Sequence, residues 1–297
     1  MIGSEQLQFF DMEGFLVMEN VLKSKEVEFY DQTYNAFINN EFDLEGLRSD
    51  LSGSKDQKKE LITQIMLPSS VYPELLQGPM HLKGLQIAQQ LLGEDMILDF
   101  DMLINKAPYT NKSTPWHQDA AYWIDMPDKR ALSIWFAIDE ATLENGCMWY
   151  TPKSHKLPLR EHHQPSGKGA LQCEGTEGES TAVPLRPGSC AIHHGHTLHY
   201  SRGNSTGGNR RAFILNFRPK KMVELERAQG FDHSGKRKHI HLSIFLKLLY
   251  NILYRCTVSK SKRDSPSKSC VVRVIKDRNN IFYYKRIAIF SNYKIVP

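Results

Sequence analysis

From residue 96 onward the hydrophobic pattern runs at period two, and this limits what the chain can fold into. Residues 96–100, 101–106, 131–139, 148–150, 182–185, 189–194 and 211–217 read as short strands. Turn pairs such as Asn145-Gly146 and Pro187-Gly188 punctuate them. Many short strands joined by turns pack as an antiparallel barrel or sandwich. Upstream the period changes to that of a helix. Val27, Tyr30, Tyr34, Phe37 and Ile38 repeat after Ser24, a predicted N-cap, with Glu26 in the first turn. Leu82, Leu85, Ala88, Leu91 and Leu92 form one face of a second helix over 80–92, stopped by Gly93. Residues 14–18 read as a strand, and 41–60 as a loop or loose helix. The expectation is a mainly β core with N-terminal helices packed outside it. Residues 164–181, rich in Gly, Ser and Glu, predict a long loop at the barrel mouth that acts as a lid.

A chain of 297 residues can bury a sizeable core. Its net charge of +5 conceals an asymmetry. Residues 236–297 carry fifteen Lys/Arg against two Asp/Glu, and the remainder carries 23 against 31. The predicted organisation is a folded domain over 1–235 and an atypical basic tail over 236–297. The tail contains an apolar run (241–254), a Ser/Lys/Arg-rich linker (257–268) and a basic, strand-like end (271–297). It reads as either a genuine extension or translated non-coding sequence. The acidic body gives no reason to expect nucleic acid, whereas the tail is basic enough to touch acidic membranes or nucleic acid. Five cysteines, with no Cys-x-x-Cys pair, argue against a disulfide framework and suit a reducing compartment. The first residues lack a signal-peptide pattern, and the last three are not a peroxisomal address, so a cytoplasmic location is expected. No run of eighteen apolar residues predicts a membrane span.

The chemistry-bearing residues concentrate at two places. On extended backbone, His117 and Asp119 point to one face and can reach one metal ion. Alone such a pair is weak, since a His–Asp hydrogen bond on a strand is common. Downstream, His193, His194, His196 and His199 offer a third ligand. Two imidazoles and one carboxylate on one side of a metal form the facial triad of non-haem Fe(II) oxygenases. His199 is selected because Ser201 and Arg210 follow it. A dicarboxylate cosubstrate bound to the metal at one end needs its far carboxylate held, which a guanidinium and a hydroxyl can do. The turn 203–208 would return Arg210 to His199. Parity groups Arg210 with Ala212, Ile214 and Asn216, and Arg211 with Phe213, Leu215 and Phe217. Which face is inward stays open, so Arg211 is a rival.

These motifs resemble the phytanoyl-CoA dioxygenase family, and most of all its domain-containing branch. They are His117-Gln118-Asp119, the run from Leu132 to Cys147, Pro152-Lys153-Ser154-His155, and Leu198-His199-Tyr200-Ser201 with Arg210. The likeness spans 5–235 and begins with Gly14-Phe15-Leu16-Val17. It implies a double-stranded β-helix (jelly-roll) core, with Fe(II) held by His117, Asp119 and His199. It implies 2-oxoglutarate as cosubstrate, with Arg210 and Ser201 on its far carboxylate, and ascorbate as reductant. Trp135 and Met102 match pocket-lining positions, with Lys106 a weaker candidate on the parity of Met102. Gln118, between the ligands, is expected to touch the cosubstrate. The implied reaction is hydroxylation of an unactivated C–H bond in a small-molecule or lipid-like substrate, releasing succinate and carbon dioxide. Asp119 separates the chain from halogenating relatives, which lack that carboxylate. The rival readings are a non-catalytic metal- and 2-oxoglutarate-binding protein and a hydrolytic zinc site. One departure is Lys153, where the family's turn has glycine. Loops 109–114, 122–129 and 164–181 are expected to select the substrate, and an acyl-CoA does not follow from the family name.

Overall fold

In this computed structural model, residues 2–52, 60–164, 170–234, 275–276 and 282–283 are described. The chain divides into two compact units, residues 1–239 and 240–297. The first unit runs α1 (Ser4–Glu13), β1 (Phe15–Met18), α2 (Ser24–Ile38), β2 (Arg48–Asp50), β3 (Ile62–Met66), α3 (Pro68–Val71), α4 (Pro79–Leu92) and β4 (Met96–Lys106). It continues β5 (Thr114–His117), β6 (Leu132–Ala137), β7 (Met148–Tyr150), β8 (Thr181–Val183), β9 (Cys190–His194), β10 (His199–Ser201), β11 (Arg210–Pro219) and α5 (Lys220–Ala228). In the second unit, β12 (Ile275–Lys276) and β13 (Phe282–Tyr283) pair antiparallel. The expectations for the apolar run, the linker and the rest of the basic end lie outside the described residues. No helix among the described residues is long and apolar enough to cross a membrane.

The strands form a seven-stranded antiparallel sheet, β1-β9-β6-β11-β4-β3-β2, and a four-stranded one, β5-β10-β7-β8. Successive residues of a strand face opposite sides, and in β6 and β11 both sets are buried and mostly apolar. Leu132, Ile134 and Phe136 of β6 and Phe213, Leu215 and Phe217 of β11 join the outer core. There α2 and α4 cover them with Tyr30, Tyr34, Phe37, Met80 and Ile87. The rings of Tyr30 and Tyr34 meet Phe213 edge-on at 5.6 and 5.8 Å. On the inner face, Trp135, Ala137, Ala191, Ala212 and Ile214 pack against Met148, Tyr150 and Val183 of the small sheet. Two sheets closing on one apolar layer give the expected jelly-roll sandwich, with helices on one side.

This arrangement settles the parity question on β11. Arg211 lies on the outer side, where its guanidinium bonds Asp139 (2.7 Å) and Asp31 (2.5 Å). Arg210 lies on the inner side with Ala212 and Ile214.

Several local expectations change. Ser24 is the first helical residue rather than the cap. Lys23 takes the cap position, and its N–H donates to the Glu26 carboxylate at 2.7 Å. Residues 96–106 make one strand, because Asp101 is fully buried in it and is no turn residue. Its carboxylate accepts from Ser69 Oγ (3.0 Å) and pairs with His81 Nε2 (3.0 Å), joining α3 and α4 to β4. The 41–60 stretch contains β2, which pairs with β3. Lys153 has φ of 65°, so the turn does use the left-handed conformation that glycine tolerates best.

The long loop before β8 is tied down on its flanks. His163 and Gln172 exchange two backbone hydrogen bonds of 2.9 Å, and Cys173 N–H donates to the Trp116 carbonyl at 2.8 Å. Gly175 lies so close to Trp116 that a Cβ would stand 2.6 Å from the indole. The loop therefore covers the outside of the small sheet as well as approaching the mouth. The described cysteines, Cys147, Cys173 and Cys190, are buried and free.

Candidate metal centre

β5 ends at His117, and Asp119 opens the 3-10 turn that follows (Asp119–Tyr122). His199 begins β10 directly across from His117 in register. One ligand atom from each of the three residues lies within 4.8 Å of the other two. His117 Nε2 and His199 Nε2 stand 3.6 and 3.5 Å from Asp119 Oδ1. The other nitrogen of each ring faces a carbonyl: His117 Nδ1 faces Pro115 (2.8 Å) and His199 Nδ1 faces Thr197 (2.9 Å). A carbonyl only accepts, so each Nδ1 carries the proton and each Nε2 lone pair points to the shared space.

The electrostatics favour a cation there. Burial pushes both imidazoles below the usual histidine range and keeps them neutral. Burial works to raise the Asp119 carboxyl, but the neighbouring His199, His193 and His117 imidazoles outweigh it and hold it far below its usual value. Two neutral imidazoles and one carboxylate form a donor set suited to Fe(II). The carboxylate is itself fixed through Oδ2, which accepts from Ser133 Oγ (2.6 Å) and His193 Nε2 (3.0 Å). Asn216 Nδ2 in turn donates to Ser133 Oγ at 2.9 Å. Oδ1 is thereby turned to the two Nε2 atoms. Sequence reasoning missed Ser133 and Asn216. Their signal was inward parity with Trp135 and Ile214, legible only once the inner face was known. Of the clustered histidines, His193 supports the carboxylate, and His194 and His196 pack against each other with ring centres 5.6 Å apart. Tyr122 opens the 122–129 loop expected to select the substrate. Its ring meets His117 edge-on at 5.9 Å, and its Oη accepts from Leu171 N–H at 2.8 Å, joining the mouth to the long loop.

The second pole of the site lies at the start of β11. Arg210 pairs in register with Lys106 of β4, and both are buried. The Arg210 guanidinium stands 5.1 Å from the Trp135 ring centre, and its Nε and Nη1 have no hydrogen-bond partner. Burial pulls its pKa down to about 10, which still leaves it charged at neutral pH. A buried cation with unused donors fits an anion, and a guanidinium fits a carboxylate best. Lys106, expected as a weak and solvated candidate, is fully buried. Its Nζ donates to Ser201 Oγ (2.8 Å), to the Ser201 carbonyl (3.1 Å) and to the Arg202 carbonyl. Ser201 Oγ is therefore an acceptor toward Lys106, and its hydroxyl hydrogen remains available to a ligand. Trp135 belongs to the inner apolar layer, and Met102 packs against it.

Gln118 requires a correction. It alternates away from its two neighbours, and its amide is engaged at both ends. Nε2 donates to the His196 carbonyl (2.7 Å), and Oε1 accepts from Arg160 N–H (2.9 Å). Its backbone N–H donates to His162 Nε2 at 3.0 Å. Gln118 ties the metal strand to two loops and makes no cosubstrate contact through these groups.

A second group, Asp99, Glu226 and His233, also has ligand geometry. Arg218 Nη1 lies 2.6 Å from Glu226 and 3.3 Å from Asp99, and Arg227 Nη2 lies 2.5 Å from Asp99. Two guanidiniums already neutralise the carboxylates, so this is an ion-pair network.

The sequence profile described as Phytanoyl-CoA dioxygenase (PhyH) matches residues 10–212. A probable phytanoyl-CoA dioxygenase of Caenorhabditis elegans is 25% identical over 235 residues, covering 73% of this chain and 75% of that protein. The peroxisomal phytanoyl-CoA dioxygenase of Homo sapiens is 26% identical over 236 residues, covering 72% of this chain and 67% of that protein. The crystal structure of EvdO2 from Micromonospora carbonacea var. aurantiaca, complexed with 2-oxoglutarate, superposes with a TM-score of 0.63 at 31% identity. That match covers 73% of this chain and 91% of EvdO2. With both poles of the site and the fold around them in agreement, this chain belongs to the phytanoyl-CoA dioxygenase family.

Proposed function

We propose that this chain is an Fe(II)- and 2-oxoglutarate-dependent dioxygenase that hydroxylates an unactivated C–H bond in a small-molecule or lipid-like substrate. The observation that carries the reading is the pairing of two poles between the facing sheets, the metal ligands from the small-sheet side and Arg210 from β11 of the large sheet. One is a two-histidine, one-carboxylate metal face, and the other is a buried guanidinium with unused donors. A hydrolytic zinc site would need the first pole and give the second no role.

His117, Asp119 and His199 would hold the metal. Arg210 and Ser201 would take the far carboxylate of 2-oxoglutarate, with Trp135 and Met102 as walls. Iron held there would supply activation of dioxygen, coupling oxidation of 2-oxoglutarate to succinate and carbon dioxide with insertion of one oxygen atom into the substrate C–H bond. The protein's part is positional. Pro115 and Thr197 orient the imidazoles, while Ser133 and His193 hold the carboxylate. The neutral imidazoles need lose no proton to bind metal. The apolar inner layer keeps water from the cosubstrate. The free cysteines fit a reducing, cytoplasmic setting.

The test is succinate formation from 2-oxoglutarate by the purified chain with Fe(II) and ascorbate, beside a His117→Ala control. Succinate from the wild type alone supports the reading. Binding of 2-oxoglutarate with no succinate, across candidate substrates, would favour the non-catalytic alternative. Absence of 2-oxoglutarate binding would remove the cosubstrate assignment and the role of Arg210 with it.

A further inference from the structure

The inner face of the large sheet continues one pleat beyond the metal layer. Asn216, Ser133 and His193 stand abreast on β11, β6 and β9. The next positions are Arg218 on β11 and, just beyond the ends of β6 and β9, Ala131 and Gly195, where Gly195 N–H donates to the Ala131 carbonyl at 2.9 Å. Trp123 lies across this row. A Cβ on Gly195 would stand 2.6 Å from the Trp123 ring and 3.1 Å from Ala131 Cβ, and Arg218 is 4.9 Å from the ring centre. Between the row and the segment after Asp119 is a cavity of about 240 Å³, walled by Trp123, Ile124, Met126 and Leu159 with Arg218 and His196. Ala120, the residue after Asp119, is part of its lining. Along β11 the order is Arg210, then the metal layer at Asn216, then Arg218. The cavity therefore neighbours the ligand set through Ala120, on the side away from the cosubstrate pole.

The charges on its wall are compensated. Arg130 pairs with Asp95 (2.8 Å) and Asp128 (2.6 Å). Arg218 pairs with Glu226 (2.6 Å) and Asp99 (3.3 Å). Lys129 pairs with Asp125. Burial holds His196 below the usual histidine range. The same protein leaves Arg210 Nε and Nη1 without a hydrogen-bond partner at the pole that suits an anion. Where an anion is to be held, the cation is left open; here each lining Lys or Arg is paired. An ionised group entering this cavity would lose its hydration and meet no uncommitted charge. An apolar group would gain contact with the indole, Met126 and Leu159.

We propose that this cavity receives the prime substrate beside the metal, and that the part it receives is uncharged and apolar, seated against Trp123. Calling the ligand the prime substrate rests on the dioxygenase reading; the cavity's preference for an uncharged apolar group does not. Its volume is below the ~300–1,000 Å³ usual for whole drug-sized ligands, so it fits a chain of several carbons or a ring rather than a complete large substrate.

Octan-1-ol, octanoate and octylamine share one chain and differ in head-group charge. Each is titrated into the full-length protein while tryptophan fluorescence is followed, and 2-oxoglutarate affinity is measured on the same samples by calorimetry with Mn(II). Octan-1-ol is expected to bind at least tenfold more tightly than either ion. Trp123→Phe should abolish the fluorescence change. Leu159→Trp, at a partly exposed rim position, should fill the cavity and weaken octan-1-ol at least tenfold. Equal or tighter binding of either ion, no response to octan-1-ol, or a response that survives both substitutions would overturn the proposal. A protein that binds octan-1-ol in this pattern but not 2-oxoglutarate would refute the dioxygenase reading and leave the cavity's preference standing. The reverse would refute the cavity proposal alone.

Discussion

Replacing Arg210 by methionine should do two opposite things. The guanidinium is buried, and its Nε and Nη1 donate to nothing within the protein. Each unsatisfied buried donor costs about 1–3 kcal/mol, so two cost about 2–6 kcal/mol. The contact with Trp135, at 5.1 Å, returns about 1–2 kcal/mol. Methionine fills much of the same volume without a charge. On this balance Arg210→Met stabilises the ligand-free protein by about 0–5 kcal/mol. With 2-oxoglutarate the sign reverses, because a buried charge-assisted pair between guanidinium and carboxylate is lost. Losing about 3 kcal/mol of that contact weakens 2-oxoglutarate roughly hundredfold. The assay is urea denaturation of the metal-loaded protein with and without 2-oxoglutarate, with the ligand's dissociation constant taken from calorimetry. If Arg210→Met destabilises the ligand-free protein and leaves 2-oxoglutarate affinity unchanged, Arg210 is a structural residue and the cosubstrate pole has been misassigned. Arg210→Lys separates charge from shape. It keeps a cation but loses the bidentate fork, and should recover only part of the affinity.

Three further outcomes follow from the geometry. Ser133→Ala removes the 2.6 Å bond that holds Asp119 and should weaken Mn(II) binding about tenfold to hundredfold, measured by calorimetry, with the fold intact by circular dichroism. Lys153→Gly should raise stability in urea by about 0.5–1 kcal/mol, since φ of 65° strains a side chain and the exposed 3.7 Å contact with Glu13 contributes little. Burial works to lower the His233 pKa, but Asp99 and Glu226 outweigh it and raise it in the folded state. Its stabilising contribution is therefore complete below the unfolded value of about 6.5 and is lost as pH rises through the folded value. His233→Gln should flatten that part of a thermal-unfolding pH series, and an unchanged slope would show that another group carries it.

What could be read from the sequence follows from how local each signal is. His117 and Asp119 are two residues apart, and their shared face needs only extended backbone. The strand pattern and the helical faces of α2 and α4 are local in the same sense. The choice between Arg210 and Arg211 is not local. Both belong to strand parities that end in a core, because β11 is covered by helices on one side and by the small sheet on the other. Alternation then reports two buried faces and labels neither. Only packing shows that Phe213 meets α2 and that Arg210 shares a layer with Trp135. The same blindness hid Ser133 and Asn216, small polar residues in apolar runs that become visible once Asp119 is seen to need partners. Lys106 was underrated for the opposite reason. A lysine at a strand end is ordinarily solvated, yet here Ser201 at the end of β10 and Arg202 after it supply two carbonyls and a hydroxyl that satisfy it in the interior. Gln118 was overrated because it sits between two ligands in the chain, although on a strand the residue between two inward neighbours points outward. Adjacency in sequence and adjacency in space disagree at this position, and the pleat decides in favour of space. It makes Gln118 the clamp through which Arg160, His162 and His196 are tied to the metal strand.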